Sequence, residues 1–90
     1  MNQVLKKAID DAIIIANEST QKEILDSQKS RVTIYTKHVL PNGTKAGFLY
    51  SINLYKDQMG EWVYENHTYS IPAVDLHLIG EVTPRIEAVG

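Results

Sequence analysis

The chain has 90 residues, of which 43% are hydrophobic and 22% are charged, and its formal net charge is −2. This length predicts one domain, spanning 1–90, and the composition is that of a chain that folds rather than of a disordered tail. The sequence contains no cysteine, which excludes disulfide bonds, thiol catalysis and cysteine-ligated metal sites. A domain of this size buries only about 60–65% of its unfolded surface, so assembly into a homo-oligomer is a natural way to bury more.

The amino-terminal apolar stretch does not have the pattern of a targeting or membrane segment. Asp10 and Asp11 interrupt it, and a signal peptide needs an unbroken apolar region. No other stretch approaches the roughly 18 apolar residues of a membrane span. We therefore expect a cytoplasmic protein that does not contact a membrane.

Residues 3–17 have the hydrophobic spacing of an amphipathic helix. The apolar side of this helix comprises Val4, Leu5, Ala8, Ile9, Ala12, Ile13, Ile15 and Ala16. Ala8, Ala12 and Ala16 follow one another at intervals of four, and such small residues let a sheet or a second helix approach closely. Ile14 falls on the polar side, which predicts that the helix takes part in the homo-oligomer contact.

A short second helix is expected after the first. Thr20 and Glu23 have the spacing of a capping box just before Ile24 and Leu25, which predicts a helix over 21–28. A single longer helix is the alternative.

After Ser30 the hydrophobic period changes from 3.6 to 2, which indicates β-strands. The segments 31–40 and 47–55 flank a Pro41–Thr44 turn and predict an antiparallel hairpin. Because a shift of one residue would exchange the two faces, the apolar pattern selects the register.

Two registers compete for this hairpin. A two-residue loop at Asn42 and Gly43 would scatter the apolar residues over both faces of the sheet. A type I turn with Gly43 left-handed in a bulge gathers them on one inner face. The apolar pattern therefore favours the second register. It pairs Val32 with Ile52, Ile34 with Tyr50, and Thr36 with Phe48.

The same turn pattern recurs at 57–60, which predicts a returning strand over 61–65. Trp62 and Tyr64 would then join the inner face, with the stem of Lys56 over the indole. A turn or bulge at Asn66–His67 is expected to precede a further strand over 68–71.

Alternating residues over 74–82 predict another strand, and the tail over 85–89 predicts an edge strand. The whole reads as an α+β domain with a helical segment over 1–29 and a sheet over 30–90. We expect an N-terminal helix and a short second helix packed on one face of a four- to five-stranded, mainly antiparallel sheet.

The sheet face that the helix leaves open carries the candidate ligand site. In the chosen register it gathers basic, hydroxyl, amide and tyrosine side chains without an acidic one, and these groups suit an anionic, nucleotide-like small ligand. The candidate binding residues are Arg31, Thr33, Tyr35, Lys37, Ser51, Asn53 and Tyr55. The sequence therefore predicts a non-catalytic binding protein that sequesters such a ligand.

Enzyme signatures are absent from the sequence: it has no phosphate-binding loop, dinucleotide-binding fingerprint, serine elbow or zinc-protease motif. We expect no catalytic residue, bound metal or cofactor. The net charge of −2 argues against duplex nucleic acid as a partner. One alternative is a protein inhibitor or adaptor. Another is a small metal-dependent enzyme, because Asp75 and His77 share one face of a predicted strand.

Overall fold

The computed structural model describes residues 3–39, 41–43, 45–70 and 84–89. Within them the strands form one antiparallel sheet in the order β3-β2-β1-β4, and the first helix packs on one face. This confirms the predicted α+β fold. The strand predicted over 74–82 lies outside the described residues. The elements are α1 (Gln3–Glu18), α2 (Lys22–Leu25), β1 (Lys29–Val39), β2 (Lys45–Lys56), β3 (Trp62–Ser70) and β4 (Arg85–Ala88).

The register of the first hairpin is the predicted one. Gly43 has a φ of +83°, the left-handed conformation that the bulged turn requires and that glycine adopts without strain. This register places the paired apolar residues of β1 and β2 together on the inner face of the sheet, the face that α1 covers. The pairs are Val32 with Ile52, Ile34 with Tyr50, and Thr36 with Phe48.

The second turn repeats this geometry. Gly60 has a φ of +79°, and the backbone N–H of Asp57 donates to the carbonyl oxygen of Glu61 at 2.9 Å. The Asp57 carboxylate accepts from the backbone N–H groups of Met59 and Glu61. This turn places Trp62 opposite Lys56, as predicted.

The β3 strand is continuous but contains a bulge. Asn53 pairs with Asn66, whereas the next residue, Leu54, pairs with Tyr64, so Glu65 has no opposite residue. The irregularity predicted at Asn66–His67 therefore falls at Glu65, one residue earlier. Because a bulge shifts the side-chain alternation by one residue, the inward positions change from even to odd numbers beyond it.

The core lies between α1 and the inner face of the sheet. Ala8, Ala12 and Ala16 are almost completely buried, so the small-residue stripe brings the helix close to its own sheet and is not available to a second subunit. Ile14 is 53% exposed. The other buried apolar residues of the described chain are Ile9, Ile24, Val32, Ile34, Tyr50, Ile52, Leu54 and Trp62.

The second helix is shorter than predicted, and the capping box does not form. Gln21 is the N-cap and makes no side-chain capping bond. Its backbone N–H is accepted instead by the hydroxyl of Ser19 at 3.3 Å, a local turn that competes with capping by Thr20 and Glu23. Among the described helices, none has both the length and the apolar character to cross a membrane.

Candidate functional site

The confirmed register places the predicted binding residues on the outer face, the sheet face opposite α1. Their pairings are Arg31 with Asn53, Thr33 with Ser51, Tyr35 with Leu49, Lys37 with Gly47, and Tyr55 with Lys29. They are nevertheless spread along the hairpin, because six residues of strand cover roughly 20 Å. A small ligand can contact only part of this set at one time.

One row across the outer face is a continuous polar ladder, which we call the amide ladder: Glu87, Arg31, Asn53 and Asn66. The Nη1 atom of Arg31 donates to Oε1 of Glu87 at 3.2 Å, and its Nε atom donates to Oδ1 of Asn53 at 3.2 Å. Asn53 in turn donates to Oδ1 of Asn66 at 2.6 Å. Arg31 therefore has a hydrogen-bond partner on each side. The Glu87 carboxylate on β4 balances the positive charge that the sequence analysis assigned to ligand binding.

The next row of residues across the outer face, beside the amide ladder, has polar side chains that do not pair with one another. Thr33 lies between Arg85 on β4 and Ser51 on β2, and Ser51 pairs with Thr68 on β3. Directly opposed residues share a face, so Arg85, Thr33, Ser51 and Thr68 form a hydroxyl row beside the amide ladder. Within the described ranges these four side chains have no hydrogen-bond or ion-pair partner.

A depression of about 210 Å³ lies at the β4 end of the hydroxyl row. The described residues that line it are Thr33, Arg85, Ile86 and Glu87. It therefore combines a guanidinium and a hydroxyl, both without a partner among the described residues, with a carboxylate that Arg31 engages. A concave site with a few convergent polar groups is the usual form of a small-molecule site.

Tyr35 borders the hydroxyl row on the side away from the amide ladder. Its ring lies over Gly47, where an added Cβ would come within 2.7 Å of the Tyr35 Cζ atom. Its hydroxyl is buried without a hydrogen-bond partner in the described structure. The ring is thus seated on the sheet two residues from Thr33, whereas Tyr55 lies beyond the amide ladder and does not adjoin the row.

A second feature, which the sequence reasoning missed, is an aromatic cluster on the inner face. Its members are Phe48, Tyr50, Tyr64, His67 and Tyr69, with ring centroids 6.0 to 6.4 Å apart in the contacting pairs. The Tyr64 hydroxyl lies 2.6 Å from Nδ1 of His67. The change from even to odd aromatic positions around Glu65 is the sequence signal that could have found it.

The described residues contain no group of three or more histidine, aspartate or glutamate side chains that could hold a metal ion. Asp75 and His77, the pair behind the metal-enzyme alternative, lie outside the described residues. Comparison with protein-family models, curated proteins and solved structures found no match for this chain.

Proposed function

We propose that this protein is a non-catalytic binding protein that holds a small anionic, nucleotide-like ligand on the outer face, at the hydroxyl row. The observation that carries the proposal is the cross-strand row of Arg85, Thr33, Ser51 and Thr68, whose side chains have no partner among the described residues. Hydrogen bonds from an ionised donor to an anion are about twice as strong as neutral ones. The row is therefore better suited to an anion than to a neutral ligand.

The surroundings of the row support a ligand with a planar group. Tyr35 lies two residues from Thr33 along β1, about 7 Å away, on the same face. A ring held against Gly47 loses little conformational freedom when a base stacks on it. An anion at the row with a base on Tyr35 is the arrangement that a nucleotide would adopt.

The proposal predicts that Arg85→Gln weakens nucleotide binding by at least about tenfold, since a hydrogen bond to a charged group contributes roughly 1.5–3 kcal/mol. The measurement is the nucleotide-induced rise in melting temperature, with 5′-AMP and 3′,5′-cyclic AMP as probes. Arg85 is exposed at the sheet edge, so the variant should fold normally.

Lys7→Gln is the matched control. It removes one exposed cation, the partner of Asp11 on α1, on the other side of the molecule. Its nucleotide response should equal that of the wild type. A wild type that responds to neither probe, or an Arg85→Gln variant that responds fully, would contradict the proposed function.

We also propose a homo-oligomer whose contact includes the helices, supported by the exposure of Ile14 at 53% and Leu25 at 55%. Ile14→Glu should then shift the protein toward monomer in light scattering, because it would place a charge in an apolar contact. Lys6→Glu, on an exposed position of the same helix, is the control. A wild type that is monomeric at micromolar concentration would refute the oligomer and favour an inhibitor or adaptor that binds another protein there.

A further inference from the structure

The charges around the hydroxyl row restrict the ligand further. Three charged side chains of the described structure lie at its β4 end: Arg85, Glu87 and Arg31. Glu87 and Arg31 form an ion pair at 3.2 Å, and Arg85 has no partner in the described part of the chain. The sum over these described side chains is therefore a single positive charge.

More distant cations add little to this sum. Lys29 lies four residues from Thr33 along β1, about 13 Å away, and forms an ion pair with Glu65 at 3.6 Å. Lys37 lies at the same interval on the other side. Both distances from Thr33 exceed the screening length of about 10 Å at 0.1 M salt. The electrostatic potential at the row therefore comes mainly from Arg85.

Building on the proposed function, we propose that the ligand presents one negative charge to the row, as a nucleotide phosphodiester does. A singly charged phosphate group balances the free guanidinium and accepts hydrogen bonds from the hydroxyls of Thr33 and Ser51. A terminal monophosphate or a polyphosphate would bring further negative charge against the Glu87 carboxylate, where the described residues hold no further unpaired cation to balance it. The site should therefore disfavour such ligands.

The position of Tyr35 agrees with this ligand class. A cyclic nucleotide holds its phosphodiester close to its base, and Tyr35, with its ring over Gly47, is the next residue of β1 after Thr33 on the outer face. The extended phosphate chain of ATP would instead have to run along the row toward β3, where the only described groups are hydroxyls.

The test compares 3′,5′-cyclic AMP, 5′-AMP and ATP by calorimetric titration of the full chain. Wild-type protein should bind cyclic AMP most tightly, by at least roughly tenfold over 5′-AMP and over ATP, because each of these brings at least one negative charge that Arg85 does not balance. Glu87→Gln leaves the charge of Arg31 unbalanced and should reduce that preference about tenfold. Glu87 has a 62% exposed side chain, and the melting temperature without ligand checks that the variant folds.

Glu65→Gln is the matched control, because it frees a cation on the same face, Lys29, but at a distance from the row. It should leave the order of affinities unchanged. If wild-type protein binds ATP as tightly as cyclic AMP, or if Glu87→Gln leaves the preference intact, the charge restriction is wrong while nucleotide binding stands. If none of the three nucleotides binds, the proposed function fails as well.

Discussion

Replacement of Ala12 by leucine is expected to lower the free energy of unfolding by about 2–3 kcal/mol, because added methylene groups in a close-packed contact force side chains and backbone apart. Ala12 is fully buried, and Ala8 and Ala16 flank it on the same stripe. The helix contacts β1, β2 and β3 through this face. A larger side chain at its centre would lift α1 from the sheet along its whole length.

Urea denaturation followed by circular dichroism measures this effect. Lys6→Leu introduces the same side chain at an exposed position of α1 and should change stability by less than about 0.5 kcal/mol. If the Ala12→Leu variant were as stable as the wild type, α1 would not approach the sheet as closely as described. A loss of this size is a large fraction of the stability of a small domain.

Local patterns were sufficient to predict the first hairpin. The pairing of Val32 with Ile52 and of Ile34 with Tyr50 follows from the alternation of apolar residues, because a shift of one residue would move them to the solvent face. The positive φ of Gly43 follows from the same choice of register. Both features involve residues close in sequence, so the information that specifies them lies in one short segment.

The composition of the candidate site could not be predicted in the same way. Glu87 reaches Arg31, and Arg85 lies beside Thr33, only because β4 pairs with β1. These partners are more than fifty residues apart, and hydrophobic alternation does not specify which strands are neighbours. The pattern of the hairpin alone therefore predicts an outer face without an acidic group, whereas β4 supplies a carboxylate to Arg31 and a cation beside Thr33.

The aromatic cluster was missed for a different reason. Trp62 and Tyr64 occupy even positions, whereas His67 and Tyr69 occupy odd ones, and both pairs face inward only because Glu65 is an extra residue in β3. Continuing the alternation through that point sends the second pair to the outer face. The change of parity was present in the sequence, but a bulge and a turn are both consistent with it.

Trp62 and its cross-strand partner Lys56 make hydrogen bonds from the sheet to the ends of both helices. Trp62 is 4% exposed, and its backbone N–H donates to Oδ1 of Asn17 at the end of α1 at 3.2 Å. The Nζ atom of Lys56 lies 5.1 Å from the ring centroid and also donates to the carbonyl oxygen of Leu25 at the end of α2. The Trp62 backbone and the Lys56 side chain that covers the indole thus hydrogen-bond to the two helices.

Trp62→Ala should therefore cost about 3–5 kcal/mol, the range for removing a large buried aromatic side chain. The loss combines the transfer of the indole to water with a cavity beneath α1 and the loss of the ring that Lys56 covers. Chemical denaturation followed by circular dichroism measures it, since this substitution removes the only tryptophan. Met59→Ala, at a position 88% exposed in the preceding turn, should leave stability nearly unchanged.

Lys56→Met keeps the apolar stem over the indole but removes the ammonium group, and its cost should be no more than about 1–2 kcal/mol. Equal losses of unfolding free energy for Lys56→Met and Trp62→Ala would contradict the dominant role of indole burial. They would show that the Lys56 ammonium group provides the stabilisation instead.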